Sequence, residues 1–221
     1  MIGLARHNFG TMERAPEQLS RPFKVQTQWH VITGAPCSGK TTLINLFAQK
    51  GFRTVAESAR QCFEEELAMG RTIDEIREDD VALQRRLVDI QLSVERGLRT
   101  NDVLFLDRGL PDSLAFFRIF GKSPNRLLPE CFRHRYASVF VLDRLSVQRT
   151  VALGPEDEAA ARFLDEWHAR DYSALGYNVV RVPVLSPEER LGFVLETLSF
   201  HFRPDFSAGR TLYHAAAEAR S

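Results

Sequence analysis

"WHVITGAPCSGKTTLINLF", residues 29–47, passes from an apolar run through a glycine-bracketed loop into a stretch with helical periodicity. Five residues, WHVIT, have the composition of a short buried strand, and Leu43, Ile44, Leu46 and Phe47 give the following segment one apolar face. Between them lies Gly34-x-x-x-x-Gly39-Lys40-Thr41, a full Walker A pattern. Glycines let the backbone wrap a phosphate chain so that several N–H groups converge at the positive end of a helix. The loop Gly34, Ala35, Pro36, Cys37, Ser38, Gly39, with Lys40, Thr41 and Thr42 after it, is therefore read as a binding site for a nucleoside triphosphate. Lys40 is expected at the β- and γ-phosphates and the Thr41 hydroxyl on Mg²⁺.

The rest of the chain bounds what that site serves. Its 221 residues suit one domain with a sizeable core. Lys plus Arg and Asp plus Glu both number 29, so net charge lends no support to a general nucleic-acid or membrane-surface role. Cys37, Cys62 and Cys131 are widely spaced, without a CxxC or Cys/His pairing, so neither zinc nor a disulfide framework is implied. No long apolar leader and no 18-residue apolar run occur. A reducing cytoplasm is the expected location.

Strands alternate with helical segments. After the quoted strand come FRTVAE (52–57), DVLFLD (102–107), SVFVLD (138–143) and YNVVRVPV (177–184). Helices are expected to begin at SARQCFEEELAM (58–69), to run over 72–99, with Thr72 and Glu75 spaced as a capping box, and to lie near 110–121, 156–175 and 187–201. This alternation predicts βαβ units and an α/β fold with a parallel sheet. Residues 1–24 read as an N-terminal arm within which Met12 is an alternative start, 25–203 as the P-loop domain, and 204–221 as a C-terminal tail. The 72–99 helix is a candidate homodimer face.

Strand ends supply the remaining chemistry. Asp107, after four apolar residues, is placed as a Walker B acid would be, to hold Mg²⁺ directly or through water. Arg108 is a candidate clamp for acceptor or phosphate. Glu57 closes strand two at the same edge and is the expected general base for an acceptor hydroxyl, with Arg60 one turn on binding the acceptor. Arg144, Arg149 and Arg162, between strands four and five, are candidate lid arginines. An NKxD motif is missing, which argues against guanine, and Pro183 in the VPV loop is placed to lie against a purine.

GAPCSGKTTL, VAESARQ, LQRRLVDIQ, FLDRGLPDSLAF, RYASVFVL and LGYNVVRVPV together resemble the NadR/TRP-translocation-defect type AAA domain, AAA_28, over about residues 29–200. The resemblance implies a nucleoside-kinase-like P-loop fold with strand order 2-3-1-4-5 and helices on both faces. It makes Glu57, Asp107 and Arg108 the acids and arginine of the active cleft. The leading expectation is an ATP- and Mg²⁺-dependent phosphotransferase acting on a small hydroxyl-bearing, nucleoside-like acceptor, with no nucleic acid as partner. The alternative is a nucleotide-dependent switch whose partner is a protein or lipid; it needs no base at position 57.

Overall fold

The computed structural model of the protein describes residues 21–56, 80–145 and 155–198, apart from the side chains of 80–83 and 155–157. The P-loop strand is β2 (Trp29–Thr33), buried at all five positions, and it lies at the centre of a five-stranded parallel sheet. Its partners are β4 (Leu104–Asp107) on one side and β6 (Ser138–Leu142) on the other. Beyond these lie β3 (Arg53–Val55) and β7 (Val179–Val182), so the order is β3-β4-β2-β6-β7. Numbered among these five strands in chain order, that is the expected 2-3-1-4-5.

Parity along the strands sorts the core into two layers, because successive side chains leave a strand on opposite faces. Ile32, Phe105, Phe140, Leu142 and Val182 pack against α1 (Lys40–Gln49) and α6 (Pro187–Thr197). In α1 the buried positions are Lys40, Leu43, Ile44 and Phe47, the spacing of one helix face, and the Phe47 ring stacks on Phe105 with centroids 3.9 Å apart. Trp29, Val31, Leu104, Leu106, Val139 and Val141 face the other way, into a core shared with Val88, Leu110, Leu114 and Tyr172. Those residues come from α2 (Asp80–Gly97), α3 (Asp112–Ile119) with its preceding turn, and α5 (Pro155–Ala174). A short α4 (Leu128–Cys131) leads into the strands that follow. Helices cover both faces, as doubly wound parallel sheets require.

A second, two-stranded parallel sheet joins β1 (Val25–Gln26) to β5 (His134–Arg135). Sequence periodicity does not reveal it, since two-residue strands are too short to show an alternation. Residues just before β1 pack as well: Phe23 lies 5.2 Å from the Phe132 ring and 5.3 Å from Tyr177. The helix expected from 58–69, Thr72, Glu75 and the first turns of the expected 72–99 helix lie outside the described residues, as do Met12 and the tail from 199 onward. Among the described residues no helix is long and apolar enough to cross a membrane.

Candidate functional site

Backbone geometry makes the loop after β2 what it is. Gly34 has φ +143°, and a Cβ there would meet the Leu142 carbonyl oxygen at 2.8 Å and Ser38 Oγ at 2.9 Å. The loop can pass β6 this closely only without a side chain. Cys37 takes φ 60°, unusual for a residue with a Cβ, and its side chain is exposed. Gly39, at φ +91°, is the N-cap of α1 and offers no side-chain cap, so the first turn of that helix opens onto the loop. Lys40 folds back over it: Nζ donates to the Ala35 carbonyl at 2.8 Å and to Ser38 Oγ at 3.5 Å. Thr41 and Thr42 follow in the same turn.

The strand register sets Asp107 beside this loop. Its Cα is paired with Ile32, one residue before β2 ends. From there Oδ2 accepts a hydrogen bond from Thr41 Oγ1 at 3.2 Å, joining the two expected metal-holding residues. A hydroxyl and a carboxylate oxygen side by side are hard donors of the kind Mg²⁺ takes, with phosphate oxygens and water completing the set. Among the described residues no three His, Cys, Asp or Glu side chains converge as a metal cage. The wrapped loop and this oxygen pair fit a phosphate chain with its magnesium.

Arg108 follows with φ 76°, a strained setting for a long side chain. The turn that holds it is gripped by two buried carboxylates, neither of which stood out in the sequence. Asp112, 2% exposed, accepts from Gly109 N–H at 3.0 Å, from Tyr172 Oη at 2.6 Å and from Thr33 Oγ1 at the foot of the P-loop. The charge closest to it is Arg108, at 3.6 Å. Burial works to raise the Asp112 pKa, but His168, Arg108 and the hydroxyls of Thr33 and Tyr172 together hold it below the usual value. Glu95, on α2, accepts from Leu110 N–H at 3.2 Å, Tyr136 Oη at 2.8 Å and Gln91 Nε2 at 3.0 Å. His168 is fully buried 3.7 Å from Asp112, and burial lowers its pKa to about 4, Arg108 and Lys40 adding to the effect against Asp112. At neutral pH it is an uncharged imidazole.

Other expected residues are placed less centrally. Arg144 Nη2 is bonded to Glu158 at 2.5 Å, and Arg162 reaches the same carboxylate at 3.5 Å while largely exposed. Pro183 follows β7, and its carbonyl accepts from Arg190 Nε at 3.0 Å. Glu57, Arg60, Arg149 and Cys62 lie outside the described residues. Arg190 is the residue that sequence reasoning passed over. In the sequence it is an ordinary polar position of an amphipathic helix, yet it is 3% exposed and bonded to three loops of the site. The capping box Ser186–Glu189 marks where its helix starts; no pattern marks the arginine.

A parallel sheet of this order, a Walker loop off the central strand and an acid at the end of the adjoining strand define a P-loop protein of the kinase-like class. The chain belongs to the AAA domain family AAA_28, which it matches over residues 29–190. Among solved structures it is similar to the NadR protein in complex with NR, at 19% identity and TM-score 0.59, covering 80% of this chain and 53% of that one. It thus spans about half the length of NadR. It is similar also to thymidylate kinase from Ehrlichia chaffeensis (12% identity, TM-score 0.57, 78% and 98% covered). Deoxyadenosine kinase from M. mycoides with bound dATP is a third (14% identity, TM-score 0.51, 78% and 99% covered). No curated protein matches the sequence. At these identities the likeness establishes the fold.

Proposed function

We propose that the protein is a Mg²⁺·ATP-dependent phosphotransferase acting on a small hydroxyl-bearing acceptor of nucleoside type. The observation that carries this reading is the Thr41–Asp107 oxygen pair, 3.2 Å apart beside the Walker loop. In it the loop from Gly34 to Thr42 holds the phosphates and Lys40 exchanges the Ala35 carbonyl for a phosphate oxygen. Bound magnesium neutralises charge on the phosphates as the terminal one is transferred. Thr41 and Asp107 hold that ion, and Arg108 meets the acceptor or the charge that moves. Glu57 takes the acceptor proton, and Arg60 orients the acceptor. Leu145, 41% exposed, and Val184, 54% exposed, lie in the loops after β6 and β7 with Pro183, an apolar edge suited to an adenine face. The similarity to deoxyadenosine kinase supports the acceptor class.

The test is a metabolite library incubated with protein and Mg²⁺·ATP, read for a mass gain of one phosphate. Transfer to a nucleoside-like hydroxyl, lost in Lys40→Ala and reduced about 10²–10⁴-fold in Glu57→Gln, is the expected result. A Glu57→Gln protein that transfers as well as wild type removes the assigned base. Absence of any phosphorylated acceptor, with Lys40→Ala abolishing a protein or lipid interaction, points to the switch.

A further inference from the structure

Arg190 sits on the first turns of α6 and is 3% exposed. A buried guanidinium ordinarily meets a carboxylate. This one makes no ion pair among the described residues; the nearby Asp143 carboxylate is bonded to Arg181 instead, at 2.7 Å. Its three bonds all go to main-chain carbonyls. Nη1 donates to Ser38 at 2.5 Å, Nη2 to Asp143 at 3.1 Å, and Nε to Pro183 at 3.0 Å. These carbonyls belong to three different loops: the Walker loop, the loop after β6 and the loop after β7. All three border the proposed nucleotide site.

The bond to Ser38 has a direct consequence for the loop. A trans peptide is planar, with its C=O and the next N–H pointing in opposite directions. With the Ser38 carbonyl drawn to Arg190, the Gly39 N–H is directed away from the arginine. Gly39 is at φ +91°, and a Cβ on it would lie 3.3 Å from Arg190 Nη1, so the arginine packs against the outer face of that peptide. The guanidinium serves the three carbonyls from three separate nitrogens in a fixed plane; an ammonium has its three donors on one atom and cannot reproduce that spacing.

We propose that Arg190 is a positioning residue for nucleotide binding: it fixes the Ser38–Gly39 peptide with its N–H turned toward the phosphates and ties that loop to the two loops on the base side. The inference rests on the reading of the site as an ATP site. The experiment compares wild type, Arg190→Gln and Arg190→Lys, all at a temperature where each is folded. Calorimetry measures affinity for Mg²⁺·ATP and for Mg²⁺·tripolyphosphate, which has phosphates but no base. Arg190→Gln is expected to weaken both ligands by about tenfold to a hundredfold, and Arg190→Lys by a smaller factor. A staple that serves only to hold α6 down lowers the melting temperature but leaves the affinities of the folded protein unchanged; that result overturns the proposal. An equal loss for ATP with none for tripolyphosphate overturns the part concerning the Walker loop. If Arg190→Gln does not fold, wild-type affinity in Arg190→Lys is the overturning result. Wild-type protein that binds neither ligand removes the ATP reading itself, and the inference with it.

Discussion

Asp107 and Cys37 show how little of a residue's chemistry is visible in its type. Asp107 is 3% exposed, and its partner is a hydroxyl that can donate as readily to an amide oxygen. Asp107→Asn should therefore keep the bond to Thr41 and the fold while losing the charge proposed to hold magnesium. We expect ATP affinity in Mg²⁺ to fall at least about tenfold, roughly 1.4 kcal/mol, with little change in EDTA. Titrations with and without the metal check it, and equal losses in both would exclude a metal role. Cys37 is exposed on a loop at positive φ, whereas Cys131 is 2% exposed. An alkylating reagent should label Cys37 well ahead of Cys131, and Mg²⁺·ATP should protect it. Mass mapping that finds the same rate with and without nucleotide would show that the ligand does not cover the loop.

Elements reveal what was legible and what was not. The strand, loop and helix over residues 29–47 could be read directly, because each depends on neighbours in the chain: apolar period, glycine, then period 3.6. Asp107 was legible for the same reason, as an acid closing an apolar strand. Asp112 looked like any first-turn helix acid; its bonds to Thr33 and Tyr172 span 79 and 60 residues, and no local pattern encodes them. Arg190 meets Ser38 across 152 residues. The β1–β5 pair was hidden because each strand is two residues long. Helix α6 gives this a test. Ser186 and Glu189 cap it reciprocally, at 3.3 Å to the Glu189 N–H and 2.9 Å back to Ser186. Ser186→Ala should cost about 1 kcal/mol in urea unfolding. Because Arg190 lies in the next turn, the same change should also weaken ATP binding a few-fold, unlike the cap-neutral Glu188→Gln.

Across the whole molecule, buried titratable groups set a pH dependence. Burial lowers the pKa of both His30 and His168 to about 4. In the unfolded chain they charge near pH 6.5, so between 6.5 and 4 the unfolded state holds protons that the folded one refuses. Stability is therefore full above pH 6.5 and is lost as pH falls toward 4. Asp171 runs the other way, since burial raises it to about 6 against the pull of Arg118, and it favours the folded state as it gains a proton. Two histidines outweigh one carboxyl, so stability should be about 2 to 3 kcal/mol lower at pH 5 than at pH 7.5. Asp112 adds nothing in this window, because its depressed pKa matters only below the ordinary carboxylate value. Urea midpoints at the two pH values test this, and His168→Leu should flatten the profile. Equal midpoints in the wild type would mean the histidines are not held neutral.

The β1–β5 pair bears on where the chain can be cut. Family similarity begins at residue 29, but Lys24 N–H bonds the Phe132 carbonyl, and Phe23 stands between Phe132, Tyr177 and the Arg135 guanidinium 4.9 Å from its ring. Trimming to the edge of the match removes the Phe23 ring from its place against Phe132 and Tyr177, and the only strand that, among the described residues, pairs with β5. A protease that nicks ahead of Arg21 leaves this seam intact. One that cuts after Lys24 leaves β1 in the chain but removes Phe23 and the Lys24 N–H, and bares the Phe132 and Tyr177 faces to water, a sticky notch on the side of the sheet away from the Walker loop helix.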